Sequence, residues 1–373
     1  MTQNSTFRRF VPSLSGLAIA SILLGNVPAY AELVLPSSRV TSSLKVRSAP
    51  TTASAVIGKL LPGEAAVLAD SSTAYWHQIT LPDKTSGYVS RSWATVEADL
   101  RLGTWNIKKL GHGTSKDYPM VAGVIDENFD ILTLIEVMQK GQGHPGYDAL
   151  LQQLGGSWAG VITETPRPST TAGDAEYYAI LYRPAAVLPC ADGPTLQHFQ
   201  DNDGSSQGTG PDLFVREPAF ACFETISTAG TKGWDFILAA YHATWADGDE
   251  DIIAKEADQL SQVFAAMRHA RPSEADLFVA GDFNLTPEVL KEHSQAVDKT
   301  TGTGSTLNSS GARTANLYDH LLVFDSHATS ELIVPAQVLD VRKKASTNKA
   351  FYKTASDHLP IVGRFFRNRS DDD

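Results

Sequence analysis

The chain has 373 residues, of which 42% are hydrophobic and 20% are charged, a composition and length that suit one large globular domain together with a small one. The formal net charge of −11 argues against a protein that coats nucleic acid with lysine and arginine. It does not exclude a hydrolase that meets phosphate through cations, because a carboxylate-rich site is itself negative until the cation binds.

The N-terminus has the features of an export signal. Arg8 and Arg9 form a positive region, an apolar stretch runs from Leu14 to Val27, and Ala29-Tyr30-Ala31 is an A-x-A cleavage motif. The apolar stretch is shorter and more interrupted than the roughly 20 residues of a membrane span. We therefore predict a signal peptide over residues 1–31, no transmembrane segment after its cleavage, and a secreted or periplasmic mature protein.

Residues 33–97 alternate short strand-like runs with Pro/Gly turns, which predicts a small β-barrel. The sequences that carry this pattern are LKVRSAP at 44–50, LPGE at 61–64, YWHQI at 75–79 and GYVSRSW at 87–93. They resemble a bacterial SH3-like domain, and the resemblance implies a cell-wall peptide or another protein as ligand. The alternative is a spacer module without a ligand. Only residues 97–99 follow before the next strand, so we expect the barrel to pack against the next domain.

A second domain, predicted over residues 100–367, mixes strands and helices. Apolar runs predict strands at 101–106, 130–136, 177–182, 219–226, 236–242, 277–282, 321–324 and 359–366. Helical spacing of apolar residues predicts helices at 118–128 and 252–269. Two packed sheets flanked by helices would suit this order.

Polar residues end several of these apolar runs. In the clearest case, the strand that begins at Leu277 stops at Gly281-Asp282-Phe283-Asn284. A buried strand cannot carry a free carboxylate, so Asp282 and Asn284 belong at the C-terminal end of the strand, where they can face a ligand. The equivalent polar ends are Trp105-Asn106, Ile135-Glu136, Arg216-Glu217-Pro218, Tyr241-His242, Tyr318-Asp319 and Ser356-Asp357-His358.

This set, in this order, resembles the endonuclease/exonuclease/phosphatase superfamily, and most of all its deoxyribonuclease I-like members. The flanking sequences EYYAILYRP, FVREPAFACF, AGDFN, LYDHLLVF and SDHLPIVGRF carry the resemblance. Each motif alone is common by chance, and a lone His242 would more often be a core histidine. The resemblance implies an α+β fold, a four-layer α/β/β/α sandwich, and hydrolysis of phosphodiester bonds.

Phosphodiester hydrolysis needs charge compensation, because phosphate and nucleophile are both anionic. Mg²⁺ or Mn²⁺ offsets that repulsion, and such hard cations take oxygen ligands. We predict metal ligands at Asn106, Glu136 and Asp357, and catalytic oxygens at Asp282 and Asn284.

Proton transfer needs one group that accepts a proton from water and another that donates one to the leaving oxygen. His242 and His358 are the candidates, and the sequence leaves open which is base and which is acid. By resemblance, Glu176 orients His242 and Asp319 orients His358.

Three residues are predicted to contact the substrate. Arg216 should bind phosphate through its planar guanidinium, and Lys108 and Tyr318 match further contact positions. The Arg and Tyr that deoxyribonuclease I inserts into the minor groove correspond to Met138 and Asp174 here. DNA or RNA, and duplex or single strand, therefore stay open.

A structural Ca²⁺ site is implied by the same resemblance, at Asp203, Asp212, Phe214 and Glu217. Residues 200–211 have the composition of a loop, and a plain solvated loop is the alternative. The family's small disulfide in this loop is missing. The two cysteines, Cys190 and Cys222, can form a disulfide in an exported protein, or stay as two buried thiols.

The sequence leaves three functions open. The first is a secreted or periplasmic endonuclease acting on nucleic acid, most of all DNA. The second is a phosphodiesterase of the same superfamily acting on phospholipid, as a sphingomyelinase does, or on RNA. The third is a wall-binding protein whose nuclease-like domain is inactive. Arg216-Glu217-Pro218 and Tyr318-Asp319 favour the nuclease.

Overall fold

The computed structural model describes residues 32–371 apart from 63, 70–71, 82–84, 114, 169–173, 202–211, 228–229, 325–330 and 370. The predicted signal peptide lies outside the described residues. The helices are α1 (Tyr118–Asn128), α2 (Pro145–Leu154), α3 (Glu250–Ala257), α4 (Leu260–Ala270), α5 (Pro287–His293) and α6 (Asn348–Thr354). None of the described helices is long and apolar enough to cross a membrane.

The strands of the first half of the chain are β1 (Glu32–Pro36), β2 (Leu44–Arg47), β3 (Val56–Leu60), β4 (Ala66–Leu68), β5 (Trp76–Thr80), β6 (Ser86–Ser90), β7 (Ala94–Leu110), β8 (Ile131–Met138), β9 (Ala159–Ile162), β10 (Arg167–Pro168), β11 (Ala175–Tyr182) and β12 (Val187–Pro189). Those of the second half are β13 (Gln197–His198), β14 (Ala219–Ile226), β15 (Lys232–His242), β16 (Leu277–Asp282), β17 (Val297–Asp298), β18 (Thr300–Thr301), β19 (Asp319–Val323), β20 (Leu332–Val338) and β21 (Ile361–Phe366).

Two β-sheets pack face to face in the large domain. One sheet has the order β10-β11-β8-β7-β21-β20-β18, with β9 on β11, and the other has the order β12-β14-β15-β16-β19-β17, with β13 on β14. Side chains from both sheets, among them Leu102 and Ile131 from one and Phe236 and Phe278 from the other, form the central core. Both faces of these strands are buried, which explains their continuous apolar runs.

Helices cover both outer faces of the sheets. Buried residues of α1 and α6 pack on the first sheet, and those of α3 and α4 on the second. In α1, Val121, Val124 and Ile125 follow the i, i+3, i+4 spacing of an apolar stripe. The predicted four-layer α/β/β/α sandwich is therefore confirmed.

The single helix predicted over residues 252–269 is wrong, because the structure has α3 and α4 instead. The N–H of Gln259 donates to the Glu256 carbonyl at 3.0 Å, and that of Gln262 to the Gln259 carbonyl at 2.9 Å. These tight i→i−3 bonds interrupt the α-helical ladder. The hydrophobic spacing continues across the break, so periodicity alone does not reveal it.

The barrel joins the sandwich through one continuous strand. β7 is 17 residues long. Its first part pairs with β1, and Asp99–Thr104 pair with β21. At the junction Leu33, Leu35 and Phe366 pack together. The barrel thus contacts the sandwich directly, as its short connection predicted.

The predicted disulfide is present. Cys190 and Cys222 are bonded, with their Cα atoms 5.4 Å apart. Cys190 follows β12, which pairs with β14, the strand that carries Cys222. The bond therefore ties the edge of the second sheet to its neighbouring strand.

Candidate active site

Strand register brings the predicted site residues of the second sheet side by side. In the parallel pair β15–β16, His242 lies opposite Asp282. In the antiparallel pair β16–β19, Asp282 lies opposite Asp319. Three residues far apart in the sequence therefore meet at one edge of the sheet.

The first histidine, His242, is held by a buried carboxylate. Its Nδ1 lies 3.1 Å from both carboxylate oxygens of Glu176. Burial and the nearby Arg216 lower the pKa of His242, but Glu176 and Asp282 raise it, and the net shift is upward. Burial raises the pKa of Glu176, but its interactions with His242 and Arg216 outweigh this, so the net shift is downward and the carboxylate stays ionised.

The second histidine, His358, has the same arrangement on the other side of the site. Its Nδ1 lies 2.8 Å from Oδ2 of Asp319. Burial lowers the pKa of His358, but Asp319 and Asp282 raise it, and the net shift places it well above its usual value. The Ser305 hydroxyl accepts bonds from the N–H groups of Tyr318 and Asp319, which fixes this strand end.

Asp282 lies between the two histidines. Its Oδ2 is 3.5 Å from Nε2 of His358 and 4.0 Å from Nε2 of His242. Both distances end on the same oxygen, so the two Nε2 atoms are at most 7.5 Å apart. The N–H of Asn284 donates to Oδ1 of Asp282, and the Asn284 side chain donates to the Ala243 carbonyl. The site therefore holds both imidazoles beside one carboxylate, with their Nε2 atoms no more than 7.5 Å apart.

Oxygen-bearing side chains from the first sheet adjoin this group. The Asn106 amide donates to Oε1 of Glu136 at 3.0 Å and to Oδ2 of Asp282 at 3.1 Å. Separately, the ligand atoms of Asp282, Asp319 and His358 lie within 4.8 Å of one another. Carboxylate oxygens are ligands that Mg²⁺ and Mn²⁺ prefer, so the carboxylates of Glu136 and Asp282 fit such a cation, while Asn106 turns its amide nitrogen, not its oxygen, toward them.

Strained backbone is concentrated here. Five non-glycine residues in the described chain have a left-handed backbone, and four of them flank the site: Lys108, Lys109, Glu136 and Asn284, with φ between 45° and 60°. Such conformations cost free energy and are often found at functional sites.

Two predicted residues lie differently from expectation. The Arg216 side chain is fully buried, and its contact with phosphate stays a prediction. Its Nε donates to the His242 carbonyl and pairs with Glu176 at 3.1 Å, and its Nη2 donates to the Ala243 carbonyl. Arg216 thus contacts both members of the Glu176–His242 pair and helps to hold them in place. Asp357, predicted as a metal ligand, pairs with Lys108 at 2.7 Å.

The predicted substrate contacts Lys108 and Tyr318 are both partly exposed at the site. The Lys108 ammonium also lies 3.7 Å from the ring centroid of Tyr352. Tyr318 contacts the ring of Trp245, which is 42% exposed. Trp245 follows His242 by three residues, and the sequence analysis missed it because it belongs to no motif. Met138, one of the two residues that correspond to the minor-groove side chains of deoxyribonuclease I, is buried.

The predicted calcium residues are not assembled in the described part of the chain. Asp203 lies outside the described residues, Asp212 is exposed and Phe214 is buried. The Glu217 carboxylate pairs with Arg167. Groups of described residues that could hold a metal include neither Asp212 nor Glu217, so a calcium site here stays a prediction.

Several supporting residues also escaped the sequence analysis. The Ser356 hydroxyl donates to the Asn106 carbonyl at 2.6 Å and accepts from the N–H of His358. Trp105 Nε1 donates to the His358 carbonyl at 3.0 Å. Both residues stand inside motifs quoted above, where no role was assigned to them, whereas Ser305 lies outside every motif.

Comparisons with known proteins agree with this geometry. A family model described as Bacterial SH3 domain matches residues 42–95. The chain is also similar to a protein called Deoxyribonuclease from Thioalkalivibrio sp. (strain K90mix), with 30% identity over 282 residues that cover 73% of this chain and 72% of that protein. The chain belongs to the same family as that deoxyribonuclease. It is a phosphodiester hydrolase.

Two solved structures to which the chain is similar come from different organisms. The endonuclease/exonuclease/phosphatase from Bacteroides vulgatus has 17% identity and a TM-score of 0.47, and the match covers 73% of this chain and all of that one. Truncated TDP2 from Caenorhabditis elegans has 16% identity and a TM-score of 0.47, with 72% and 98% covered.

Proposed function

We propose that the protein is an exported endonuclease that hydrolyses the phosphodiester bonds of DNA with the help of a divalent metal. The observation that carries the proposal is the pair of carboxylate-backed imidazoles whose Nε2 atoms both lie within 4.0 Å of Asp282. The relative named Deoxyribonuclease supports DNA as substrate. The A-x-A motif and the disulfide support export. The proposed divisions are a signal peptide over 1–31, the barrel over 33–97 and the catalytic domain over 100–367.

The proposed reaction uses the two histidines as proton carriers. One imidazole accepts the proton of the attacking water at Nε2, and the other donates a proton from Nε2 to the leaving oxygen. Glu176 and Asp319 accept hydrogen bonds from Nδ1, which keeps each Nε2 directed at the substrate. Asp282 and Asn284 orient the reacting groups between them.

Glu136 and Asn106 would hold Mg²⁺ or Mn²⁺, and Asp357 would join them by exchanging its Lys108 partner for the cation. A cation bound there would offset the repulsion between phosphate and nucleophile and stabilise the charge of the transition state. Removing the metal with a chelator should abolish plasmid cleavage, and added Mg²⁺ should restore it. Cleavage that persists in excess chelator would contradict metal dependence.

Each histidine can be tested by substitution. His242→Ala and His358→Ala should each lower the rate of plasmid nicking by about 10²- to 10⁴-fold, because each removes a positioned proton carrier. The matched control is His269→Ala, an exposed histidine at the end of α4, which should nick at the native rate. Circular dichroism checks that each variant folds. A native nicking rate in His358→Ala would refute the site assignment.

Substrate class is tested by offering plasmid, RNA and sphingomyelin vesicles to the same preparation. The proposal expects plasmid cleavage. Cleavage of sphingomyelin or RNA without DNA cleavage would assign the site to the lipid or RNA alternative, and no cleavage at all would favour the inactive wall-binding protein.

A further inference from the structure

The barrel carries a groove of about 500 Å³, separate from the residues of the catalytic site. Its lining includes the cationic side chains of Arg39, Lys45 and Arg47 and the rings of Trp76 and Trp93. Among the described residues that line it, none is acidic. The groove therefore combines positive charge with aromatic surface.

The charge of the barrel differs in sign from that of the whole chain. Residues 33–97 contain six basic and four acidic side chains, a net charge of +2, whereas the chain as a whole carries −11. Lys45 lies directly opposite Lys59 on the neighbouring strand β3, and both are exposed. Like charges opposite each other destabilise a strand pair, so this arrangement favours an anionic ligand over an empty surface.

The aromatic wall of the groove is partly held in place. Trp93 is 49% exposed, and the guanidinium of Arg39 lies 5.1 Å from its ring centroid. Arg39 also donates to the carbonyl of Ser92, and Arg47 donates to that of Ser54 at 2.7 Å. Both guanidinium groups are thereby fixed by backbone acceptors and leave other N–H groups for a ligand.

We propose that this groove binds a single-stranded segment of nucleic acid, with phosphates on Arg39, Lys45 and Arg47 and a base stacked on Trp93. Cationic grooves with exposed aromatic rings bind single strands in this way, because every base has a stacking face. That this ligand is a nucleic acid rests on the proposed function. Since β7 runs from the barrel into the sandwich as one strand, a nucleic acid held here is bound to a domain directly joined to the proposed catalytic domain.

The test measures binding without catalysis. The mature protein in excess chelator is titrated into a fluorescein-labelled oligodeoxythymidylate, and anisotropy is followed at several salt concentrations. Lys45→Ala should reduce the slope of log affinity against log salt by about 0.7, and Arg39→Ala/Lys45→Ala by about 1.4. Trp93→Ala should weaken binding roughly tenfold through the lost stacking. Lys343→Ala, which removes an exposed lysine of the sandwich, is the matched control and should change nothing.

Two results would overturn the proposal. One is a double variant that binds the oligonucleotide with native affinity and salt slope. The other is a double variant that keeps oligonucleotide binding and loses pelleting with murein, which would make the groove a wall-peptide site. Hydrolysis of the small diester bis(p-nitrophenyl) phosphate should stay at the native rate in these variants. Absence of nuclease activity in the native protein would refute the proposed function and leave the binding measurement valid.

Discussion

Lys116 supports the proposed site through hydrogen bonds to the backbone. Its ammonium donates to the carbonyls of Ile107 at 2.6 Å and Lys108 at 2.9 Å, and also to that of Ala355. These carbonyls follow Asn106 and precede Asp357, so one partly buried cation holds together two segments that carry predicted metal ligands. Burial lowers the pKa of Lys116 to about 8. The fold therefore accepts the cost of partly burying this charge to fix the turn.

Replacing Lys116 tests this support. Lys116→Met removes the ammonium that bonds three backbone carbonyls, and we expect a loss of about 1–3 kcal/mol in the free energy of unfolding. Because the turn then relaxes, we also expect weaker Mn²⁺ binding, measured by calorimetry. Lys353→Met, an exposed lysine on α6, is the control for both measurements. Unchanged stability and unchanged Mn²⁺ affinity in Lys116→Met would contradict the role.

At the residue scale, the sequence predicted chemistry better than orientation. His242 with Glu176 and His358 with Asp319 are in contact, as the family resemblance implied. Arg216 has the right charge, but its neighbours pull the guanidinium inward, and no sequence pattern encodes that direction. Lys116 acts through backbone carbonyls, and the most distant of them, that of Ala355, is 239 residues away along the chain. Such a contact leaves no local pattern in the sequence.

At the scale of elements, the close approach of β15 and β16 sets the spacing of the site. A Cβ atom at Gly281 would lie 1.7 Å from the Tyr241 carbonyl oxygen. Only glycine permits this contact, and the next residues on the two strands are His242 and Asp282. The glycine of the AGDFN motif is thus a packing requirement beside the proposed catalytic residues.

Gly281→Ala should push these strands apart. We expect a loss of about 3 kcal/mol or more in stability, because overpacking against backbone cannot be relieved by a rotamer change. We also expect loss of plasmid nicking, since His242 and Asp282 move with their strands. Gly123→Ala in α1, where a Cβ meets no atom within 4 Å, is the control and should keep activity. A Gly281→Ala variant with native melting temperature and nicking rate would refute this account.

The predicted elements were reliable where hydrophobic runs were long. The strands that end in site residues and helix α1 agree with the sequence patterns. Short edge strands such as β13, β17 and β18 have two residues each, too few to show a period. β7 was predicted to begin at 101 but begins at Ala94, because the barrel strand continues into the sandwich without a turn signal.

At the scale of the whole molecule, barrel and sandwich share one sheet network. β1 pairs with the barrel end of β7, and β21 pairs with the same strand where it enters the sandwich. The change of partner occurs at Asp99, which is buried and pairs with Arg364 at 3.0 Å. A buried carboxylate at this point makes the junction sensitive to pH.

Burial raises the pKa of Asp99 to about 6, against the opposing effect of Arg364, from an ordinary value of 3.8. The folded protein therefore binds a proton at Asp99 between pH 4 and 6 that the unfolded chain releases, so this group's contribution to stability falls as pH rises through that window. The fall amounts to about 3 kcal/mol, from about 1.36 kcal/mol per unit of pKa shift.

Asp99→Asn removes this titration. The loss of the ion pair with Arg364 also changes the free energy of unfolding, by an amount that depends little on pH. Urea unfolding of both proteins between pH 4 and 7 should therefore show the variant gaining stability relative to the native protein as pH rises, by up to about 3 kcal/mol across the window. Groups common to both proteins cancel in this difference. Parallel stability curves would show that Asp99 does not titrate between pH 4 and 6, and that the junction keeps its carboxylate charged through the Arg364 pair.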